Sequence, residues 1–180
     1  LRFQGTPNQV TISKRAGKYF ASILVETENY NPKDNNRQAS VGVDFGIKEL
    51  AVLSTGQVFA ANQKLKANLK KLAKLQRNLA KKMKGSIRRA KAKLAIAKLH
   101  FRIAKQRQAL LHELSDSLTK TFDVITIEDL NVKGMVKNRK LSRAISDAGF
   151  GYLRQIIEYK AKLRNCIVVV ADRFFPSSKT

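Results

Sequence analysis

The sequence predicts an α/β fold built on one mixed β-sheet, and three observations predict it. Two β-branched runs far apart in the chain, residues 41–53 and 122–131, each carry an acid at a strand end. A third apolar run, residues 166–171, is separated from the second by an amphipathic stretch of helical period, and a helix between two strands implies a parallel, right-handed crossover. The turn residues Ser54-Thr55-Gly56-Gln57 join the first run to Val58-Phe59-Ala60, so three antiparallel strands follow one another as a meander.

At the N-terminus, Val10-Thr11-Ile12-Ser13 and Lys18-Tyr19-Phe20-Ala21-Ser22-Ile23-Leu24-Val25-Glu26 flank Arg15-Ala16-Gly17. Alternating strands around a Gly-containing turn are a hairpin signature. A lone hairpin is marginal in water, so this one must pack on something or belong to a larger barrel. Residues 29–40 are rich in Asn, Asp and Pro and read as a linker.

Residues 41–53 hold the first candidate site residue. Asp44 sits in an apolar run between Gly42 and Gly46, positions that let another backbone or a ligand come close. Two readings stand side by side: an aspartate that caps a turn at Gly46, or a carboxylate bound to a cation, since an unpaired charge in a core strand is costly. The run Phe122-Asp123-Val124-Ile125-Thr126-Ile127-Glu128-Asp129-Leu130-Asn131 delivers a second carboxylate, Glu128. If the two strands lie side by side, Asp44 and Glu128 face each other and repel unless cations sit between them. Such pairs hold Mg²⁺ in two-metal phosphodiester hydrolysis.

Between these runs the chain changes character. No acid occurs between Glu49 and Glu113, while residues 64–107 contain 17 Lys and Arg. Leu65, Leu69, Leu72, Gln76, Leu79 and Met83 step by four and three, and Ile87, Ala90, Leu94, Ala97, Phe101, Ala104, Gln108 and Leu111 keep the rhythm. Gly85 ends one helix and Ser86 caps the next. This predicts an antiparallel helical hairpin with an apolar seam. The second helix has further apolar positions at Ile96, Leu99, Ile103, Leu110 and Leu114, so its C-terminal half should pack on the sheet. With no acid to pair them, these cations repel one another, a cost that points to a phosphate backbone. The candidate nucleic-acid ligands are Lys64, Lys66, Lys70, Lys71, Lys74, Arg77, Lys81, Lys82, Lys84, Arg88, Arg89, Lys91 and Lys93. His100 and His112 are read as helix-face residues, because no Cys or carboxylate has metal-ligand spacing to them.

Residues 131–143 are polar and basic, a loop plus a short helix. Ser146 or Asp147 is expected to cap the helix carrying Phe150, Leu153, Ile156, Ile157, Tyr159 and Leu163. The formal charge of +23 exceeds what solubility requires and fits a nucleic-acid partner. The chain shows neither a membrane-spanning apolar run nor a signal-peptide pattern, and its one cysteine, Cys166, excludes an internal disulfide. A soluble, cytoplasmic protein with no membrane partner is the expectation.

Three strands, helices, a fourth strand, a helix and a fifth strand make a ribonuclease H-like order, with the carboxylates on the first and fourth strands. Here the sequence resembles the TnpB (OrfB-type) proteins of insertion sequences, RNA-guided nucleases related to type V CRISPR effectors. The matching segments are Val41-Gly42-Val43-Asp44-Phe45-Gly46-Ile47-Lys48, Ile127-Glu128-Asp129-Leu130-Asn131-Val132-Lys133-Gly134-Met135, Ser146-Asp147-Ala148 and Asp172-Arg173-Phe174-Phe175-Pro176-Ser177-Ser178-Lys179-Thr180. The resemblance implies that Asp44 and Glu128 are the first two catalytic carboxylates and metal ligands of a RuvC nuclease centre using Mg²⁺ or Mn²⁺. It implies guide RNA and target DNA as partners and a prokaryotic, nucleoid-associated location. Residues 1–38 would be the end of a wedge (oligonucleotide-binding, β-barrel) domain and its linker. Residues 39–180 would be the RuvC domain with a helical-hairpin insertion at residues 62–120.

The family pattern continues past Phe-Pro-Ser-Ser-Lys-Thr into a Cys-x-x-Cys zinc ribbon and a third catalytic Asp, whereas this chain ends at Thr180. The resemblance therefore implies a core fragment, with zinc expected only in that further ribbon and none bound here. A complementary protein segment would supply the third Asp. Asp129, Asp147 and Asp172 are each expected to be structural. Two rival readings remain: a nuclease-inactive RNA- or DNA-binding module, and a structural part of a split effector.

Overall fold

A computed structural model describes residues 5–27, 37–61, 64–139 and 142–172, with residues 64–66, 143 and 147 described in backbone only. The described chain divides into two compact units, residues 1–30 with 63–106 and residues 31–62 with 107–180.

In the first unit, β1 (Thr6–Arg15) and β2 (Lys18–Glu26) form an antiparallel hairpin. Its two-residue turn has both central residues at positive φ, Ala16 at 50° and Gly17 at 78°, the primed geometry that matches strand twist. The hairpin packs on the helices that follow: Phe20 and Phe101 stack with centroids 5.4 Å apart, and the Leu94 side chain lies against Gly17. The helices are α1 (Lys64–Ala80) and α2 (Ile87–Thr121), of which residues 87–106 belong to this unit. They run antiparallel, with Asn68 bonded to Gln106 at one end and Arg89 to the Leu79 carbonyl at the other.

The expected seam is only partly observed. Leu72, Leu99 and Ile103 form the small core here, with Leu75 and Ile96 against it. Gln76 and Ala104 are exposed, and Met83 and Ile87 are 79% and 76% exposed. Residue 65 lies outside the described side chains. The physical reason is that α2 carries two apolar stripes at helical spacing. The one through Leu94 and Phe101 faces the β-hairpin, and the neighbouring one through Ile96, Leu99 and Ile103 faces α1.

The second unit is a five-stranded mixed sheet of order β5-β4-β3-β6-β7. β3 (Gln38–Phe45), β4 (Glu49–Leu53) and β5 (Val58–Ala60) form the antiparallel meander. β6 (Phe122–Glu128) pairs parallel with β3, and β7 (Ile167–Ala171) parallel with β6. α3 (Val132–Val136), α4 (Ser142–Ala148) and α5 (Phe150–Leu163) lie between β6 and β7. One sheet face supplies Val41, Val43, Phe45, Ala51, Leu53, Ile125 and Ile127 to the core, and α2 and α5 cover them with Leu111, Leu114, Leu118, Leu153 and Ile157. Each fully buried Leu or Ile contributes about 1.5–3 kcal/mol. The C-terminal half of α2 does pack on the sheet, through Leu110, Leu111, Leu114 and Leu118; Ile96, Leu99 and Ile103 pack on α1 instead.

The expected cap at Ser146 or Asp147 is corrected. Both residues lie inside α4, and Gly149 at φ 73° precedes α5. A left-handed residue interrupts helical hydrogen bonding, and glycine adopts it without a Cβ penalty.

A polar knot fastens α5 to the end of α2. Lys160, with a side chain 9% exposed, bonds Asp116 at 3.0 Å, the Ser115 hydroxyl at 2.8 Å and the His112 carbonyl at 2.9 Å. Arg164 donates to Asp116 at 2.8 Å and to the Thr119 hydroxyl. Nearby, Arg37 donates to the Arg164 carbonyl and to Cys166 Sγ, and burial pushes the Cys166 thiol up. Partial burial pushes the Asp116 carboxyl up too, but hydrogen bonds from Arg164 and Lys160 outweigh it and hold that group below the usual carboxylate range. Asp116 therefore adds stability above the ordinary carboxylate pKa of about 4, and the contribution is lost as pH falls through its lower folded value. Asp116→Asn is expected to lower the unfolding free energy by about 1–2 kcal/mol at pH 7, a figure discounted for partial exposure. In denaturant titrations against pH the gap from the parent should close under acid; a gap that persists to pH about 2 would show that charge is not the cause.

Candidate functional site

Two features of the chain bear on function, one in each unit. The first is the carboxyl edge of the sheet. The β3–β6 pairing runs as far as Val43 and Ile127, both buried in the core, and Asp44 and Glu128 each follow by one residue. Successive side chains alternate faces, so the two carboxylates share the face opposite that core. Both are exposed. Adjacent strands lie about 4.8 Å apart, which starts the two side chains at about that separation. Asp44 pairs with Val52 on one side and Glu128 with Ala171 on the other, so neither has a cationic strand neighbour. Among the described residues neither carboxylate makes an ion pair.

Gly46 has a local reason. A Cβ there would lie 2.8 Å from the Glu49 carbonyl oxygen, so the β3–β4 turn closes only over glycine, and the close approach is to backbone. Asp129 leaves the strand. Its carboxylate is bound by Arg154 of α5 at 2.9 Å, and its N–H donates to the Ala171 carbonyl at 3.1 Å. Arg154 also binds Glu158 at 2.9 Å, and these bonds raise its pKa, Glu158 contributing most. These contacts hold the chain next to Glu128. Asp172 follows Ala171, the register partner of Glu128, and is thus one position out of phase with it. The side chain of Asp147 lies outside the described residues, as do residues 173–180. His100 is exposed, and His112 is half-buried with an edge contact to Tyr152.

Hard divalent cations take oxygen ligands and, for Mg²⁺, keep several waters. Two carboxyl groups on an open edge offer such oxygens, but no group of three or more His, Cys, Asp or Glu occurs among the described residues that could hold an ion. Mn²⁺ binding followed by electron paramagnetic resonance should show one weak site. Asp44→Asn or Glu128→Gln should weaken it at least about tenfold. A site unaffected by both substitutions would lie elsewhere.

The second feature is the basic surface of the first unit. Lys70, Lys71, Lys74, Arg77, Lys81, Lys84, Arg88, Lys91 and Lys93 are all exposed, and Lys82 is half-buried. Lys64 and Lys66 lie outside the described side chains. Arg89 differs from the others: it turns inward and donates to the Leu79 and Lys82 carbonyls at 3.0 and 2.8 Å, capping the end of α1. Lys98, Arg102 and Lys105 of α2 are exposed as well and extend the basic surface beyond the residues expected from sequence. The signal for them is the same acid-free run, which extends to Arg107 and beyond.

Each phosphate that the protein neutralises adds about 0.9 to the slope of log affinity against log salt, measured on duplex RNA or DNA. Charge reversal at Lys70, Lys74, Arg77 or Arg88 should therefore flatten that slope by about 0.9 apiece. Arg89→Ala should instead cost about 1–2 kcal/mol of stability by stripping carbonyls of their donor. Unchanged slopes for all four reversals would make the basic run only a solvated face.

Comparisons with known proteins bear on these features. The OrfB_IS605 family profile, described as "Probable transposase", matches residues 22–139. A Streptomyces pristinaespiralis protein named "Putative RNA-guided DNA endonuclease" is 42% identical over 174 residues, covering 96% of this chain and 43% of the relative. An Escherichia coli (strain K12) protein, "Putative RNA-guided DNA endonuclease InsQ", is 34% identical over 190 residues, covering 97% and 47%. A Mycobacterium tuberculosis (strain CDC 1551 / Oshkosh) protein, "Putative RNA-guided DNA endonuclease MT2953", is 34% identical over 185 residues, covering 95% and 40%. The chain thus spans less than half the length of the curated relatives it matches. Among the described residues no helix is long and apolar enough to cross a membrane.

Proposed function

The chain belongs to the OrfB_IS605 family of probable transposases, and from that premise we propose that it is the RuvC portion of a transposon-associated, RNA-guided DNA endonuclease. The reading includes a ribonuclease H-like sheet, guide RNA and target DNA as partners, and a cytoplasmic, nucleoid-associated setting. The observation that carries it is the placement of Asp44 and Glu128, one residue beyond Val43 and Ile127 on adjacent parallel strands and on one face.

In this reading Asp44 and Glu128 would hold Mg²⁺ through their carboxylate oxygens, and the chemistry supplied there would be activation of the attacking water and stabilisation of the leaving oxygen at a phosphodiester. Arg154 keeps Asp129 tied to α5, which positions the end of β6 and therefore Glu128. The exposed lysines and arginines of α1 and α2 supply phosphate contacts, which fix a nucleic acid without reading its sequence. A further protein segment would contribute a third carboxylate, and zinc would belong to that segment.

A second reading, a binding module without cleavage, has its own support: only two carboxylates converge among the described residues. One experiment separates the two. Guide-directed cleavage is measured for a protein of the relatives' full length carrying this chain, with Asp44→Ala and Glu128→Ala beside it. A metal ligand is worth several kcal/mol, so each substitution should cost at least about a hundredfold in rate while RNA binding is retained. Cleavage that survives either substitution would overturn the nuclease assignment. RNA binding with no cleavage even by the unsubstituted protein would favour the binding module. The 180-residue chain alone should bind nucleic acid and cut it little, with Mg²⁺ or Mn²⁺.

A further inference from the structure

The turn between α1 and α2 presents apolar side chains to water inside the most cationic part of the chain. Met83, at 79% exposure, and Ile87, at 76%, are the most exposed large apolar residues among those described. Scattered exposed apolar residues are ordinary. These two are set apart by their mounting and by their surroundings.

The turn is held by its own hydrogen bonds. Lys82 N–H donates to the Leu79 carbonyl at 3.1 Å, and Ser86 donates to the Met83 carbonyl through its N–H at 3.3 Å and its hydroxyl at 2.9 Å. Arg89 holds the Leu79 and Lys82 carbonyls from within the hairpin. Gly85, at φ 83°, makes the reversal, and Ser86 caps α2 by accepting from Arg89 N–H. The backbone of the tip is therefore pre-organised, with Met83 and Ile87 facing outward.

Cations surround them. Lys81, Lys84 and Arg88 are exposed, and Lys84 and Lys93 border a shallow concavity floored by Gly85, Ser86 and Ala90. A second concavity on α1 is lined by Lys74, Arg77 and Lys81. No acid interrupts residues 50–112. A ligand matching this surface must offer dense negative charge and flat apolar area within a few ångströms of each other. Nucleic acid does so wherever a base face is uncovered, at a duplex end or an unstacked step, and aliphatic side chains are known wedges at such steps. A lipid surface offers similar chemistry, but insertion there uses a continuous apolar helix face, and this tip has two residues.

We propose that the α1–α2 tip is a base-contacting wedge, in which Met83 and Ile87 pack on an uncovered nucleobase face while Lys81, Lys84, Arg88 and Lys93 hold the flanking phosphates. The proposal rests on the reading of the basic hairpin as a nucleic-acid surface and adds where on that surface bases are touched.

The test uses the whole chain and a short RNA–DNA hybrid carrying 2-aminopurine in its DNA strand, placed either at the terminal base pair or at the centre. The parent should change the fluorescence of the terminal probe and leave the central one nearly unchanged. The double variant Met83→Ser with Ile87→Ser should abolish that change and weaken binding about fivefold, with the salt slope unaltered because every phosphate keeps its cation. Lys84→Glu with Arg88→Glu should lower the slope instead. Both apolar positions are exposed, and circular dichroism would verify folding of each variant. If the parent binds and the serine variant matches it in affinity and fluorescence, the wedge is wrong and the nucleic-acid surface stands. If the parent binds no hybrid at any salt, both fail. Binding to vesicles with anionic lipid that the serine variant loses, with no fluorescence change on the hybrid, would reassign the tip to membranes.

Discussion

The parallel pairing of β3 with β6 is the constraint on which the second unit depends. Parallel strands cannot be joined by a tight turn; they require a long crossover. Here residues 46–121 fill that interval with two antiparallel strands and two helices. The last turns of α2 then return Leu111, Leu114 and Leu118 onto the face that β3 and β6 share. The same register that buries Val43 beside Ile127 brings Asp44 level with Glu128 on the other face. A slip of one residue would exchange the faces of every side chain on one strand, burying a carboxylate and separating the pair. The hydrophobic core thus sets the geometry of the acidic edge, and the cost of burying a charge guards it.

Charge is managed differently at the two ends of α2. At its C-terminal end Asp116 meets Lys160 and Arg164, whose side chains are mostly buried, and those cations gain hydroxyl and carbonyl partners as well. Buried ionic groups are tolerated when their hydrogen bonds are complete, and this knot comes close to that condition. At the N-terminal end no acid is available. Arg89 donates to the Leu79 and Lys82 carbonyls at the end of α1, the favourable place for a cation on a helix. Of the other cations there, Lys81, Lys84, Arg88, Lys91 and Lys93 stand in solvent and Lys82 is half-buried. Their mutual repulsion is tolerable in salt, whose screening length is about 8–10 Å, and is relieved by any bound polyanion.

The unit holding the β-hairpin shows how little core is needed when elements share it. A two-stranded ribbon has no second layer of its own, and Phe20 finds one in Phe101. α2 serves two partners at once with adjacent stripes. Its apolar residues therefore do not follow a single heptad seam, and Leu94 remains 41% exposed beside Gly17.

Local signals were sufficient for much of this. Strand runs, the Ala16-Gly17 turn, the Ser86 cap, the order of elements and the two acid-ended strands are all legible because each depends on neighbours within a few residues or on simple alternation. The acid-free basic run is likewise a property of composition. Four things required the tertiary structure. The sequence offered two apolar stripes on α2 and assigned the one through Leu94 and Phe101 to α1, whereas the one through Ile96, Leu99 and Ile103 meets it, because periodicity marks a buried face without naming its partner. It placed Arg89 among the outward cations, since only the folded turn brings the orphan carbonyls of Leu79 and Lys82 within its reach. It set the start of α5 at Ser146 or Asp147, residues with capping side chains, whereas the break comes from the backbone conformation of Gly149. Asp44 and Glu128 could be named from sequence as strand-end acids, but their meeting depends on a strand pairing across more than eighty residues, and no local pattern encodes that distance.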